Sequence, residues 1–145
     1  MAQSVTSVVK AVEDVYAKAP ALPKGARDFL YSVTPWIALI FGILTVLGSL
    51  SAFGLSAVFS PFAQYAGGTG FAAGLMIASV LGIVQGVLMV ASFPGLRKGQ
   101  LRGWSLLFWA EVIGIVSSAV LISVAGVLGG LIVLYLLFQI KSYYK

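Results

Sequence analysis

Four long apolar stretches occupy most of this sequence, and every basic residue of the chain lies on the same side of them. A helix is the open-ended structure that satisfies its own backbone hydrogen bonds in lipid, so each stretch predicts a spanning helix. The predicted spans cover residues 35–53, 70–93, 103–124 and 125–144. We therefore expect an all-α integral membrane protein, a four-helix bundle made of two antiparallel hairpins.

The basic residues flank the spans at alternate connections. Four precede the first span, three lie between the second and third, and two follow the fourth: Lys10, Lys18, Lys24, Arg27, Arg97, Lys98, Arg102, Lys141 and Lys145. The opposite connections, residues 54–69 and a tight turn near 125–126, contain no charged residue. Because basic residues are retained on the cytoplasmic side, we expect a multi-pass protein of the cell (inner) membrane with both termini in the cytoplasm.

Composition supports a membrane location and excludes several chemistries. Hydrophobic residues make up 60% of the chain and charged residues only 9%, against about 25% charged in soluble domains. There is no Cys and no His, which removes thiolate nucleophiles, Ser-His pairs and Cys/His zinc sites. We expect no enzymatic activity, no cofactor and no metal.

The net charge of +5 arises from the span flanks, so we expect contacts with anionic lipid headgroups and none with nucleic acid.

The first 24 residues differ in character from the four-span region, residues 25–145. Valines recur at helical spacing between residues 5 and 15, while charged residues occupy other faces. We expect an amphipathic helix over residues 3–19 at the cytoplasmic surface, ended by Pro20 and Pro23 and followed by a linker. Such a helix would either lie in the membrane plane or pair with a partner, including a second copy of the chain.

Local signals mark the ends of the spans. Thr34-Pro35 is typical of a helix start and Pro94-Gly95 of a helix end, and residues 55–69 are expected to form an uncharged loop in the outer interface. Aromatic residues anchor helices at the level of the headgroups. We assign this role at the inner interface to Trp36, Trp104, Tyr143 and Tyr144.

Small residues recur every four positions in the second span, at Gly70, Gly74, Ala78, Gly82 and Gly86. The third span has the same spacing at Ala110, Gly114 and Ser118. Small residues let helix backbones approach closely in lipid, where there is little hydrophobic drive between helices. We predict that this stripe is a helix-packing face, and the sequence leaves open whether it packs within one chain or between chains.

Glu111 is the one ionisable residue deep inside a predicted span. It lies seven residues from Trp104, which is about 10 Å along a helix. If the hairpins are regular, Gln85 and Gln139 lie at the same depth, and we predict an inner-leaflet polar layer centred on Glu111 and Gln85, with Gln139 as a third member. Burial would favour a neutral carboxyl that donates to Gln85.

Two functions from different classes are compatible with these features. The sequence favours a non-catalytic helix-packing or assembly component of the membrane, in which Glu111 joins helices through hydrogen bonds. The alternative is a small homo-oligomeric transporter or channel, in which Glu111 is the proton- or cation-coupling acid. A water-accessible cavity at Glu111 would favour transport, and dry packing around it would favour the structural role.

The segments Pro94-Gly95-Leu96 and Arg102-Gly103-Trp104, with the tail from Tyr135 to Tyr144, resemble those of small four-span membrane proteins of prokaryotes. The resemblance covers residues 25–145 and implies a four-span fold, but that family carries no activity to transfer. Small multidrug transporters also have four short spans. Their essential acid lies in the first span, where this chain has none.

Cysteine accessibility tests the predicted orientation, because the chain has no Cys of its own. A Gln100→Cys variant should react with a membrane-impermeant maleimide in inverted vesicles, and a Gln64→Cys variant should react in spheroplasts. Labelling of Gln64→Cys from the cytoplasmic side would contradict the predicted topology.

Overall fold

The computed structural model describes residues 2–66 and 69–145 as a series of helices. They are α1 (Ala2–Tyr16), α2 (Lys24–Tyr65), α3 (Thr69–Arg97), α4 (Leu101–Val120) and α5 (Val124–Ile140), followed by a short 3₁₀ helix, Lys141–Tyr143. The two described ranges contain no strand, so the predicted all-α class is confirmed. The helices α2 to α5 are each long and apolar enough to cross a membrane, which indicates a multi-pass membrane protein.

Helix α2 begins earlier and ends later than the predicted first span. It starts at Lys24 and continues to Tyr65, so Pro35 is not its first residue and residues 55–65 are helical instead of forming a loop. Residues 67 and 68 of the expected loop lie outside the described residues. With 42 residues, α2 is about 63 Å long.

Three prolines lie inside the long helices: Pro35, Pro61 and Pro94. A proline cannot donate to the carbonyl four residues earlier. A hydroxyl bonds within the helix near each proline: Thr34 donates to Leu30 at 2.6 Å, Ser60 to Ala57 at 3.2 Å and Ser92 to Met89 at 2.6 Å. The Ala57 carbonyl is the one that Pro61 leaves without a backbone donor, so Ser60 replaces that bond. The helices also continue through Pro35 and Pro94, so the signals at residues 34–35 and 94–95 do not mark helix ends.

The turn between α4 and α5 comes earlier than predicted, at residues 121–123 instead of near 125–126. Ile122 has a φ of 54°, in the left-handed region. The Ser123 hydroxyl accepts a hydrogen bond from the backbone N–H of Gly126 at 3.2 Å. A serine in this position caps the first turn of a helix, so Gly126 lies inside α5.

Helices α2 and α3 pack antiparallel through glycines. A Cβ at Gly86 would lie 2.7 Å from the carbonyl oxygen of Gly42, and a Cβ at Gly82 would clash with the Ser49 hydroxyl. The contact farther along α2, at Ser49, is made by the residue that comes earlier in α3, Gly82. The two helices therefore run antiparallel. Between Gly42 and Gly86 the two backbones approach too closely for a side chain.

Helices α3 and α4 also run antiparallel and also touch through glycines. Near the connection between them, a Cβ at Gly95 would lie 2.7 Å from the Cα of Gly103. Farther along, the Ser117 hydroxyl donates to the carbonyl of Ala78 at 3.3 Å. Two helices that touch backbone to backbone and share a hydrogen bond are held at a defined separation.

The core is concentrated at the end of the molecule that carries the basic residues, called here the basic end, where α2 begins, α3 meets α4 and α5 ends. The indole N–H of Trp104 donates to the Leu137 carbonyl at 2.9 Å and so joins α4 to α5. Its ring stacks on Phe108, and Phe138 packs edge-on against both rings. All four residues belong to or pack against the main buried cluster.

Gly86→Leu is expected to destabilise the α2–α3 pair, because the new side chain would collide with the Gly42 carbonyl and the backbone of Val46. Overpacking of this kind costs about 1–3 kcal/mol or more, measurable by thermal unfolding in detergent. Gly48→Leu is the matched control, since a Cβ at Gly48 meets nothing within 4 Å, and it should unfold at the wild-type temperature. Equal stability of the two variants would contradict this packing.

Candidate functional site

A cavity lies between α2, α4 and α5, beside the core of the basic end, and Met89 of α3 also lines it. Its volume is about 150 Å³. Glu111 on α4 supplies the one ionisable group of its lining and Thr34 on α2 the one hydroxyl. The other lining residues are apolar, among them Leu30, Leu107 and Ile140. The site is therefore a carboxyl group in an apolar chamber.

The Glu111 carboxyl has no hydrogen-bond or ion-pair partner among residues 2–66 and 69–145. The Thr34 hydroxyl, the other polar group of the cavity, donates within its own helix to the Leu30 carbonyl. In apolar surroundings an ionised carboxylate without a partner is strongly disfavoured. This arrangement favours either a bound proton or a bound cation at Glu111.

The predicted polar layer is not assembled around Glu111. The Gln85 amide lies against Gly114, where an added Cβ would clash with it. The side-chain amide oxygen of Gln139, Oε1, accepts a hydrogen bond from the backbone N–H of Leu22 at 3.0 Å. In the part of the chain that the structure describes, no hydrogen bond joins either amide to Glu111. Equal depth does not bring side chains together, because the rotation of each helix about its axis decides which neighbour a side chain meets.

The cavity opens sideways between α2 and α5. Ile37 and Val133 line it yet remain 48% and 38% exposed, whereas Ala38 and Leu137 on its inner wall are buried. Helix α2 contacts α3 extensively and α5 only sparsely. Since both helices are apolar and of spanning length, the gap between them faces hydrocarbon when the protein lies in a bilayer.

The predicted small-residue stripe divides into two parts. Its members with close neighbours in the chain, or buried in the core, are Ala78, Gly82, Gly86, Ala110, Gly114 and Ser118. Gly70 and Gly74 have open space where a Cβ would lie. The stripe therefore packs within the chain over most of its length, and the part of α3 farthest from the basic end is left uncovered.

The four aromatic residues predicted as interface anchors lie at the basic end in different settings. Trp36 is 52% exposed, and the guanidinium of Arg97 lies 5.6 Å from its ring centre. Tyr143 is half-buried. Trp104 is 1% exposed and Tyr144 is 5% exposed. Both side chains are therefore packed inside the protein, with α5 over the Trp104 ring, and the role of the four residues as interface anchors stays a prediction.

Helix α1 and the linker after it pack along α5. Glu13 forms the one ion pair found among the described residues, with Lys141. The Tyr16 hydroxyl donates to the Leu131 carbonyl at 2.8 Å, and burial raises the pKa of this tyrosine above its ordinary value. The hydrogen bond between Leu22 and Gln139 holds the linker to the same helix.

Sequence reasoning missed the α2 side of the cavity. Leu30 and Thr34 precede the predicted first span, so nothing placed them beside Glu111. The signal that could have found them is the spacing of Leu30, Thr34, Ile37 and Ala38, which puts all four on one helix face. That spacing continues through Pro35 and argues for a helix that starts before it.

The chain matches no protein-family model, no curated protein and no solved structure. The chemistry of the site therefore has to be derived from its own residues. Within residues 2–66 and 69–145, no group of three or more His, Cys, Asp or Glu side chains is placed to hold a metal ion.

Glu111→Met removes the unpaired acid and keeps a side chain of similar length. Because the carboxyl has no partner to lose, we expect the free energy of unfolding in detergent to stay unchanged or to rise by about 1 kcal/mol. Leu107→Met, on the wall of the same cavity, controls for the introduction of methionine. A stability loss above about 1 kcal/mol in Glu111→Met alone would mean that the carboxyl makes a structural bond.

Proposed function

We propose that this protein binds a small hydrophobic cation at Glu111 and exchanges it for a proton, as a small membrane transporter. The observation that carries this proposal is the carboxyl without a partner in an apolar cavity of about 150 Å³. A structural role for Glu111 itself would require hydrogen bonds from its carboxyl to neighbouring helices. The residues that the structure describes offer it none.

The chemistry of the cavity selects the class of ligand. A charged group in apolar surroundings needs an opposite charge or a proton. A neutral carboxyl keeps its proton, and an arriving ammonium group displaces that proton and pairs with the carboxylate. Cavities of this volume accept a molecule the size of benzene, so an ammonium on a short aromatic or aliphatic group fits. A bare inorganic cation would lack the several oxygen ligands it requires.

Orientation decides from which side such a ligand arrives. We place α2 to α5 as a four-helix membrane bundle with the basic end at the cytoplasmic face. The one-sided distribution of the nine basic residues supports this placement. The gap beside Ile37 and Val133 then opens to the inner leaflet, where hydrophobic amines concentrate. A second copy of the chain across this gap would close the cavity, giving a homo-oligomeric transporter that needs no catalytic group.

A non-catalytic packing or assembly role in the membrane is the second candidate, and Gly70 and Gly74 favour it. Both have open space where a Cβ would lie. Small residues four positions apart support close contacts between helices in lipid. In this role the exposed end of α3 would receive a helix of another chain, and Glu111 would have no part in it.

Equilibrium dialysis with benzylammonium tests the proposed site in full-length protein solubilised in detergent. The wild type should bind one benzylammonium per chain and release a proton into weakly buffered solution. Glu111→Gln should bind it at least about tenfold more weakly, because a desolvated charge pair commonly contributes more than that factor. The same variant should release no proton.

Two controls separate this site from general charge and general hydrophobicity. Asp28→Asn removes one acid outside the cavity and should bind benzylammonium as the wild type does. Benzyl alcohol has a similar shape without the charge and should bind equally weakly to the wild type and to Glu111→Gln. Equal binding of benzylammonium by wild type and Glu111→Gln would contradict the proposal. Absence of binding, together with loss of oligomers in Gly74→Leu, would favour the assembly role.

A further inference from the structure

A second cleft lies at the basic end, where α3 ends and α4 begins. Its volume is about 270 Å³. Lys98, Gln100 and Arg102 line its rim, and Ala91 and Leu106 line its deeper part. This cleft shares no residue with the Glu111 cavity, so the proposed function leaves it without a role.

The two cations of this cleft are not neutralised by the protein. The one ion pair among residues 2–66 and 69–145 joins Glu13 to Lys141, so Lys98 and Arg102 have no carboxylate within salt-bridge distance. Both side chains are exposed. Neighbouring Arg97 differs, because its guanidinium lies over the rings of Trp36 and Phe93. Two cations that converge on one cleft without a counter-charge favour an anionic ligand.

The cleft exists because α3 and α4 meet through glycines at this end. Gly95 and Gly103 belong to its lining, and a Cβ at Gly95 would lie 2.7 Å from the Cα of Gly103. Neither residue has a side chain to fill the space beside the contact. At the start of α4 the backbone N–H of Leu101 donates to the Lys145 carbonyl oxygen at 3.0 Å, so the positive charge of the cleft is that of Lys98 and Arg102.

The lining changes from cationic to apolar along the helices. Leu106 lies five residues into α4, and Ala91 lies six residues before the end of α3, which places both about 7–9 Å deeper than the connection. An anionic phospholipid in a bilayer matches this lining, because its charged phosphate lies at the membrane surface and its apolar acyl chains lie deeper. A free phosphate would use only the rim.

We propose that this cleft binds the phosphate of an anionic phospholipid. Lys98 and Arg102 contact the headgroup, and Ala91 and Leu106 contact the first carbons of an acyl chain. Basic pockets between membrane helices recognise acidic headgroups in this way. Because the site is separate from Glu111, the failure of either proposal leaves the other standing.

Native mass spectrometry of the full-length protein in mild detergent tests this site, with dioctanoyl phosphatidylglycerol and dioctanoyl phosphatidylcholine as the two probes. The wild type should bind its first phosphatidylglycerol at least about tenfold more tightly than phosphatidylcholine. The double variant Lys98→Gln/Arg102→Gln should lose roughly 10- to 30-fold in affinity for phosphatidylglycerol, the effect expected for two basic residues near a membrane surface. Its affinity for phosphatidylcholine should not change.

Lys18→Gln/Lys24→Gln is the matched control, since it removes the same charge from exposed positions outside the cleft. It should keep the wild-type affinity for phosphatidylglycerol, and circular dichroism should show both double variants folded. An equal loss in the two double variants would overturn the proposal in favour of general surface attraction. If glycerol 3-phosphate binds as tightly as phosphatidylglycerol, the proposal is overturned in favour of a site for free phosphate.

Discussion

The close approach of helix backbones is the interaction on which the rest of this structure depends. In lipid, apolar side chains gain little by turning inward, so helices associate where small residues let their backbones touch. Gly42 and Gly86 join α2 to α3, and Gly95 and Gly103 join α3 to α4. Helix α5 is then added through the hydrogen bond from Trp104. These contacts set the separation and the rotation of each helix.

The cavity at Glu111 follows from this pattern of contacts. Helix α2 is held by α3 and α5 is held by α4, but little draws α2 and α5 together. The gap between them is left open on the side where Glu111 lies. No basic residue lines the cavity. One packing arrangement therefore accounts for the open chamber and for the carboxyl without a partner.

Much of the fold could be predicted from the sequence, and the errors have physical causes. Hydropathy identified the four long helices, but helix ends were misplaced at Pro35 and Gly126. Turn signals have their usual meaning in water, whereas a helix in lipid tolerates proline where neighbouring groups satisfy its backbone, and α2 continues through Pro35. Gly126 was assigned to a turn because the capping role of Ser123 was not recognised.

The sequence predicted one residue of the candidate site, Glu111, and missed the residues around it. Glu111 could be found because an isolated acid in an apolar stretch is visible in the sequence. Its neighbours could not be found in this way. Gln85 and Gln139 were expected beside it from their depth along the helices, and depth does not fix which side of a helix a residue faces. The sequence by itself determined the number of long apolar helices, the absence of charge from the connections at residues 54–69 and 125–126, and the isolation of Glu111, since hydropathy and charge act segment by segment. Only the tertiary structure decided which glycines touch and which side chains meet, because the rotation of each helix depends on contacts between segments far apart in the chain.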